Sequence, residues 1–278
     1  MLIKNFNKNK YILENKIYVR DLTNENSVGL DLNHLFSDSD LNLIIENEME
    51  NFSQRIPEFE LENYDNIIIL GSGYNSKEDH IFLKDLNKKT CIIGINNSLK
   101  NWNFKELSKR NMNYYFINNP YDDSLNYLPT SHNYYPKCIA SIRTNPNFIK
   151  NYKGNKFFYC PTPNINYSNI SKKYFNNTID DYRNSVCGSL SLAFKFNAKK
   201  IILCYCDDSF VDNRPGSVLL ENNLYCYPQQ LFVDSIINNM CHWFKTKKIE
   251  IFNYSSNKLI NNSIKINNTN EILELFNE

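Results

Sequence analysis

The chain changes character near residue 64. Beyond it, short apolar runs alternate with polar or amphipathic stretches of helical spacing. Asn66–Leu70 (N-I-I-I-L), Thr90–Ile95 (T-C-I-I-G-I), Asn113–Ile117 (N-Y-Y-F-I) and Lys200–Cys204 (K-I-I-L-C) are the clearest runs. They are continuously apolar and rich in β-branched residues. That pattern marks strands covered on both faces, as in a parallel sheet. Lys137–Ile142, Lys156–Tyr159 and Glu250–Phe252 predict shorter strands. Ser76–Asn87, Trp102–Arg110, Gly188–Asn197 and Pro228–Phe244 predict the helices between them. In Gly188–Asn197 the apolar face is Leu190, Ala193 and Phe194; in Pro228–Phe244 it is Phe232, Ile236, Met240 and Trp243. Residues 160–182 and 210–227 have no clear period and read as loops, the first as a lid. The alternation predicts an α/β, Rossmann-like fold: a mainly parallel sheet with helices on both faces. Loops that follow strands then gather along one sheet edge.

Residues 1–60 do not join this pattern. Tyr11–Val19 suggests a strand and Ser37–Phe52 a helix, with Ser37 or Asp38 as its N-cap. We read 1–60 as an N-terminal appendage and 61–278 as the Rossmann-like domain.

Composition narrows the class further. Aromatic residues make up 14% and charged residues 22%, which fits a packed globular chain rather than a disordered one. The net charge of +1 gives no overall field for nucleic acid or an anionic membrane. Asn is so frequent that a single Asn carries less information than usual. The eight cysteines include no C-x-x-C pair, which argues against a zinc site. Several of them lie on or beside apolar runs, where Cys behaves as a small hydrophobe. Met1–Lys10 is polar and no apolar stretch reaches membrane-spanning length, so a cytoplasmic setting with reduced thiols is expected.

The candidate chemistry sits where strands end. The Asn66–Leu70 run stops at Gly71-Ser72-Gly73-Tyr74-Asn75. Glycines there allow a sharp turn and bring backbone N–H groups towards a phosphate. No third glycine completes a dinucleotide fingerprint, and no Lys-Ser/Thr completes a P-loop. Asn96-Asn97 and Asn119 follow the next two strands; amides both donate and accept, and so can read a base edge or ribose. Gly188-Ser189 opens the next predicted helix as a second anion site, and Lys200–Cys204 leads to Asp207 and Asp208. These carboxylates suit Mg²⁺ or a ribose. Arg214, Gln229 and Gln230 fall in a loop of substrate-contacting type, and His132 is the histidine best placed for acid–base work.

Taken together, Gly71-Ser72-Gly73, Asn96-Asn97, Gly188-Ser189 and Asp207 resemble the MptE-like family of 6-hydroxymethylpterin diphosphokinases over roughly residues 64–255. That family overlaps in fold with bacterial CMP-sialic-acid-dependent sialyltransferases. Ile95-Asn96 is similar to the nucleotide-contacting Cys-Asn of the sialyltransferases, and Asn119-Pro120 to their Asn-Pro. Tyr205 stands where they carry Gly, and Gln229 falls near their general-base His. The resemblance implies a nucleotide-dependent transferase. In its MptE-like form, diphosphate moves from ATP to a pterin-like alcohol, with Asp207 and Asp122 catalytic and Asp207 and Asp208 holding Mg²⁺. In its sialyltransferase-like form, a CMP-sugar is the donor and a small molecule or glycan the acceptor. A non-catalytic nucleotide-binding module of the same fold is the third reading.

Overall fold

A computed structural model describes residues 38–73, 80–102, 110–129, 134–161, 175–182, 184–206, 218–219, 225–226, 228–255, 260 and 262–277. Helix α1 (Asp38–Ser53) precedes β1 (Asn66–Leu70), β2 (Cys91–Ile95), the short α2 (Ser98–Asn101), β3 (Tyr114–Ile117), β4 (Lys137–Ser141), α3 (Pro146–Asn151), β5 (Lys156–Pro161) and β6 (Thr178–Ile179). Helix α4 (Ser185–Lys195) leads into β7 (Lys200–Cys204). After it come β8 (Val218–Leu219), β9 (Tyr225–Cys226), α5 (Pro228–Thr246), β10 (Glu250–Tyr254), β11 (Ile264–Lys265) and α6 (Thr269–Asn277).

Nine strands form one sheet in the order β11-β10-β7-β1-β2-β3-β4-β5-β6, and every neighbouring pair is parallel. The α/β, Rossmann-like arrangement read from the sequence is therefore present. From β1 the chain steps outward through β2 to β6. It then crosses back to place β7 on the other side of β1, with Leu70 opposite Cys204. The run from β1 to β6 and the run that starts at β7 thus extend in opposite directions, and the boundary between β1 and β7 is the topological switch point at which open α/β sheets bind ligands.

Alternation along each central strand explains why both faces are covered. Ile68, Leu70, Ile92, Tyr115, Ile117, Ile202 and Cys204 enter one core layer, with Phe148, Tyr152, Ile272 and Phe276 from α3, α6 and their flanks. Ile67, Ile69, Cys91, Ile93, Tyr114, Phe116, Ile201 and Leu203 enter the other, with Leu190 of α4 and Ile237, Cys241 and Phe244 of α5. Ile67, Ile68, Ile69 and Leu70 are all fully buried, each contributing roughly 1.5–3 kcal/mol over an exposed position.

Several elements differ from the sequence reading. The helix expected over Ser76–Asn87 is a 3₁₀ turn over His80–Asp85, with 76–79 outside the described residues. Trp102 is extended and buried rather than helical, and 103–109 lie outside the described residues. Helix α4 starts at Ser185, not Gly188, because the Asn184 side chain accepts hydrogen bonds from the N–H groups of Val186 and Cys187. In α5 the buried stripe is Ile237, Cys241 and Phe244, one residue round from the expected one, which leaves Trp243 44% exposed. Parts of the 210–227 loop form an antiparallel pair, β8 with β9. No helix among the described residues is long and apolar enough to cross a membrane. Cys91, Cys138, Cys160, Cys187, Cys204, Cys206 and Cys241 are all buried.

Helix α1 lies against the loops that follow β3 and β4. Asn47 Nδ2 donates to the Pro120 and Arg143 carbonyls at 2.9 and 3.2 Å. Asn51 Nδ2 donates to the Ile142 and Thr144 carbonyls at 2.8 and 2.6 Å. Arg143 Nε donates to Glu48 Oε1 at 2.8 Å in a pair whose side chains are only 10% and 4% exposed. Removing one member of such a pair takes a close counter-charge from the buried partner. Glu48→Ala is expected to cost about 3–5 kcal/mol, and Glu48→Gln less. Urea midpoints at pH 7 test this; a Glu48→Ala midpoint equal to wild type would show the pair to be structurally idle.

At the opposite edge of the sheet, Glu62 accepts from Lys137 Nζ and Tyr64 OH, both at 2.6 Å. Partial burial pushes the Glu62 carboxyl up, but Lys137, Tyr114 and Tyr64 outweigh it and hold it down, from its ordinary 4.5 to about 2. A carboxylate depressed in the native state stabilises above its unfolded value, and that contribution fades as pH falls through the native one. Stability is therefore expected to drop between about pH 4.5 and about 2. Glu62→Gln should lower the urea midpoint at pH 6 and converge with wild type near pH 2. Parallel profiles across that range would exclude Glu62 as a source of the slope.

Candidate functional site

The ends of β1 and β7 come together closely. The Gly71 N–H donates to the Cys204 carbonyl at 2.8 Å, and the Gly73 N–H to the Tyr205 carbonyl at 2.9 Å. A Cβ on Gly71 would lie 2.2 Å from the Tyr205 oxygen. Glycine is thus required here so that two backbones can approach. The N–H groups of Gly71 and Gly73 are already engaged with β7, which corrects the expectation that both point at a phosphate. Ser72 is half-buried between them, while Tyr74 and Asn75 lie outside the described residues.

Tyr205 carries φ 53°, a left-handed conformation unusual for a bulky residue. The backbone here has the shape that Gly adopts without strain. The ring is buried, 5.7 Å from His80 and 5.5 Å from Tyr254 between centroids. Cys206 follows, with its thiol 3.4 Å from the Ile69 and Cys204 carbonyls. Asp207 and Asp208 come next in the sequence and lie outside the described residues, as do Arg214 and His132.

Beside this seam, the ends of β2 and β3 converge on the start of α4. Asn96 has φ 50°, which Asn tolerates better than most residues, and its carbonyl accepts from Tyr115 OH at 2.8 Å. Ser185 Oγ lies 3.1 Å from Asn96 Oδ1 and 2.9 Å from Asn118 Oδ1. One hydroxyl proton serves only one of these oxygens at a time. Asn118 Nδ2 is buried and has no hydrogen-bond partner among the described residues. Such a donor is costly unless something else receives it.

The other named residues have different settings. Asn97 is half-buried at the start of α2, with no side-chain capping bond. Asn119 shapes its own loop: Oδ1 accepts from the Tyr121 N–H at 2.8 Å, and Nδ2 donates to Asp123 at 2.9 Å and Tyr127 OH at 3.2 Å. Asp122 is exposed and accepts from Asn145 Nδ2 at 2.9 Å. Gly188 lies one turn inside α4, its N–H bonded to the Asn184 carbonyl at 3.0 Å. A Cβ there would lie 2.3 Å from the Phe116 ring, and Ser189 is fully buried. Gly188 therefore lets α4 pack on β3, and the pair is not at the helix start where an anion site was expected. No cluster of three or more His, Cys, Asp or Glu able to hold a metal occurs among the described residues.

Asn118 and Ser185 were not singled out from the sequence. Two signals existed. Asn118 is the first residue after its strand, as Asn96 is after Ile95, and Asn184 is an N-cap residue type that moves the helix start to Ser185.

No family model matches the chain, and no curated protein matches it. Among solved structures, it is similar to the MAf glycosyltransferase from Magnetospirillum magneticum AMB-1, with a TM-score of 0.58 and 14% sequence identity. The match covers 81% of this chain and 38% of that one, so the chain spans well under half the length of that protein. This likeness concerns the fold.

The Gly71 contact generates a direct test. Gly71→Ala sets a methyl group against the Tyr205 carbonyl and must push β1 and β7 apart. A loss of about 1–3 kcal/mol is expected, the usual scale for overpacking. A thermal midpoint unchanged from wild type would mean that the seam relaxes freely.

Proposed function

We propose that the chain binds a nucleotide at the sheet edge over β1, β2, β3 and β7 and transfers a glycosyl group from a nucleotide-activated sugar. The observation that carries this reading is the buried Asn118 amide, unpartnered among the described residues, beside Asn96 and Ser185 and two strands from the switch point. Neutral amides and a hydroxyl supply both donors and acceptors, which suits a base edge or a ribose. The fold likeness to a glycosyltransferase supports glycosyl transfer over other group transfers. In this reading Ser72 contacts the phosphates, and Tyr74, Asn75 and Asp207, which lie outside the described residues, are assigned to the donor from the sequence alone. Gly188 and Ser189 are not used. A small molecule or glycan is the acceptor.

Diphosphate transfer from ATP to a pterin-like alcohol is the second reading. It is favoured by the two adjacent acids, Asp207 and Asp208, that follow the strand at the switch point. These would hold Mg²⁺ and neutralise phosphate charge, the main demand of phosphoryl transfer. Asp122 would assist from the loop after β3.

Calorimetry of the full chain against CMP, UDP, GDP and ATP, each with and without Mg²⁺, separates the readings. Binding of a pyrimidine or guanosine nucleotide without metal is expected for the sugar-transfer form; Mg²⁺-dependent ATP binding supports the diphosphate form. Asn118→Ala should weaken binding at least tenfold, about 1.4 kcal/mol, with little change in thermal midpoint. If none of the four nucleotides binds, the nucleotide reading fails altogether.

A further inference from the structure

The sequence reading placed Phe194 and Trp243 on buried helix faces. Both are exposed instead, by 37% and 44%. They meet edge to face, with ring centroids 4.9 Å apart and an interplanar angle of 60°. Tyr182 is also exposed, at 37%, so three of the seven large exposed hydrophobic residues among those described border one groove. The groove has a volume of about 600 Å³. Helix α5 lines it with Ile236, Asn239, Met240, Trp243 and Phe244, helix α4 with Ser191, Phe194 and Lys195, and the segment between β6 and α4 with Asp180 and Tyr182. None of these residues belongs to the strand-end site. Tyr182 has φ 43°, a conformation a bulky residue adopts only when its surroundings impose it.

The lining decides what fits. Aromatic rings alternate with Asp180, Ser191, Lys195 and Asn239, so the groove is not uniformly apolar. An acyl chain or an apolar helix seam laid into it would desolvate the carboxylate and the ammonium without replacing their hydrogen bonds, which is costly. A pyranose ring has the matching amphipathy. Its C–H face is apolar and weakly positive, suited to the negative face of an aromatic ring, and its rim carries hydroxyls for planar amide and carboxylate groups. The Trp243 ring already receives a positive group: exposed Lys247 holds its Nζ 5.4 Å from the ring centroid. The volume is within the range of small-molecule sites, about 300–1,000 Å³.

We propose that this groove is a saccharide-binding site, separate from the strand-end site, in which Trp243 and Tyr182 stack on sugar rings and Asp180 and Asn239 bind their hydroxyls. The proposal stands on the groove alone and does not require the transferase reading.

The chain has two tryptophans, Trp102 at 1% and Trp243 at 44% exposure, so acrylamide quenching of native fluorescence reports on Trp243. The full chain is first screened on a printed glycan array, and the strongest glycan is then titrated in solution while quenching is followed. The expected result is saturable protection of Trp243 in the wild type, weakened at least tenfold in Asp180→Asn, and loss of the array signal in Trp243→Leu, with thermal midpoints near wild type. Asp180→Asn guards against misfolding of the Trp243 variant, since its side chain lies on the surface. No array signal overturns the proposal, and so does binding that both variants keep. Protection by phosphatidylglycerol vesicles, or by raising protein concentration, without any glycan signal assigns the groove to a lipid surface or a second copy instead. CMP calorimetry on the same variants should match wild type. A failure of the nucleotide reading therefore leaves this test intact, and the reverse also holds.

Discussion

At the end of β1 the backbone of Gly71 lies so near the Tyr205 carbonyl that a methyl group would fall 2.2 Å from its oxygen. This contact joins the two halves of the sheet. Strands β2 to β6 follow β1 on one side, and β7, β10 and β11 lie on the other. The N–H groups of Gly71 and Gly73 add two hydrogen bonds to the β1–β7 pairing, the second to a carbonyl just beyond β7. The left-handed turn at Tyr205 is the consequence: it directs the Tyr205 carbonyl towards Gly73. Open α/β sheets bind ligands in the crevice beyond the strand ends at such a switch point. Here the glycine serves the seam first.

The same economy governs the amides of this Asn-rich chain. Most of those near the sheet edge are engaged in building it. Asn119 folds its own loop, Asn145 caps α3 and reaches Asp122, and Asn184 caps α4. Asn96 answers a backbone need through its positive φ. Abundance alone would predict such uses, since Asn suits caps and turns. Asn118 is different because its buried Nδ2 has no such role among the described residues. The distinction between structural and functional Asn therefore comes from hydrogen-bond accounting, not from position in the sequence.

The sheet was legible in the sequence because the central strands are apolar on both faces, and no other element of this length needs that. Asn66–Leu70 and Lys200–Cys204 match the observed strands residue for residue. Helices were less legible. The buried stripe of α5 contains Ile237, Cys241 and Phe244, but Ile236, Met240 and Trp243 have equally apolar side chains at equally good spacing. Periodicity cannot choose between two adjacent stripes when both are apolar; packing against β10 chooses. The 3₁₀ turn at His80–Asp85 and the short α2 and α3 are set by tertiary contacts of Phe82, Leu83, Leu99 and Phe148, which no local pattern announces. The strand-end position of the site was legible as topology. Its membership was not, because Asn118 and Ser185 meet across residues 67 apart in sequence.

Helix α1 shows why the segment before residue 61 matters to that edge. Beside the buried Ile44 and Ile45, its contacts with the body include a polar set: Asn47, Glu48 and Asn51 bind the carbonyls and guanidinium of the loops after β3 and β4. Apolar packing of similar volume would stabilise at least as well, because a buried ion pair has to offset the desolvation of both charges. What apolar packing lacks is direction. Four carbonyls, those of Pro120, Ile142, Arg143 and Thr144, are each held by an amide at a fixed distance and angle. Pro120 follows Asn119 and lies two residues from Asn118, so the helix fixes the loop that leaves β3 just beyond the unpartnered amide. A sheet edge built of loops has little rigidity of its own. A helix that grips their backbones supplies it, and places the rigidity where Asn118 must keep a buried donor ready for a ligand.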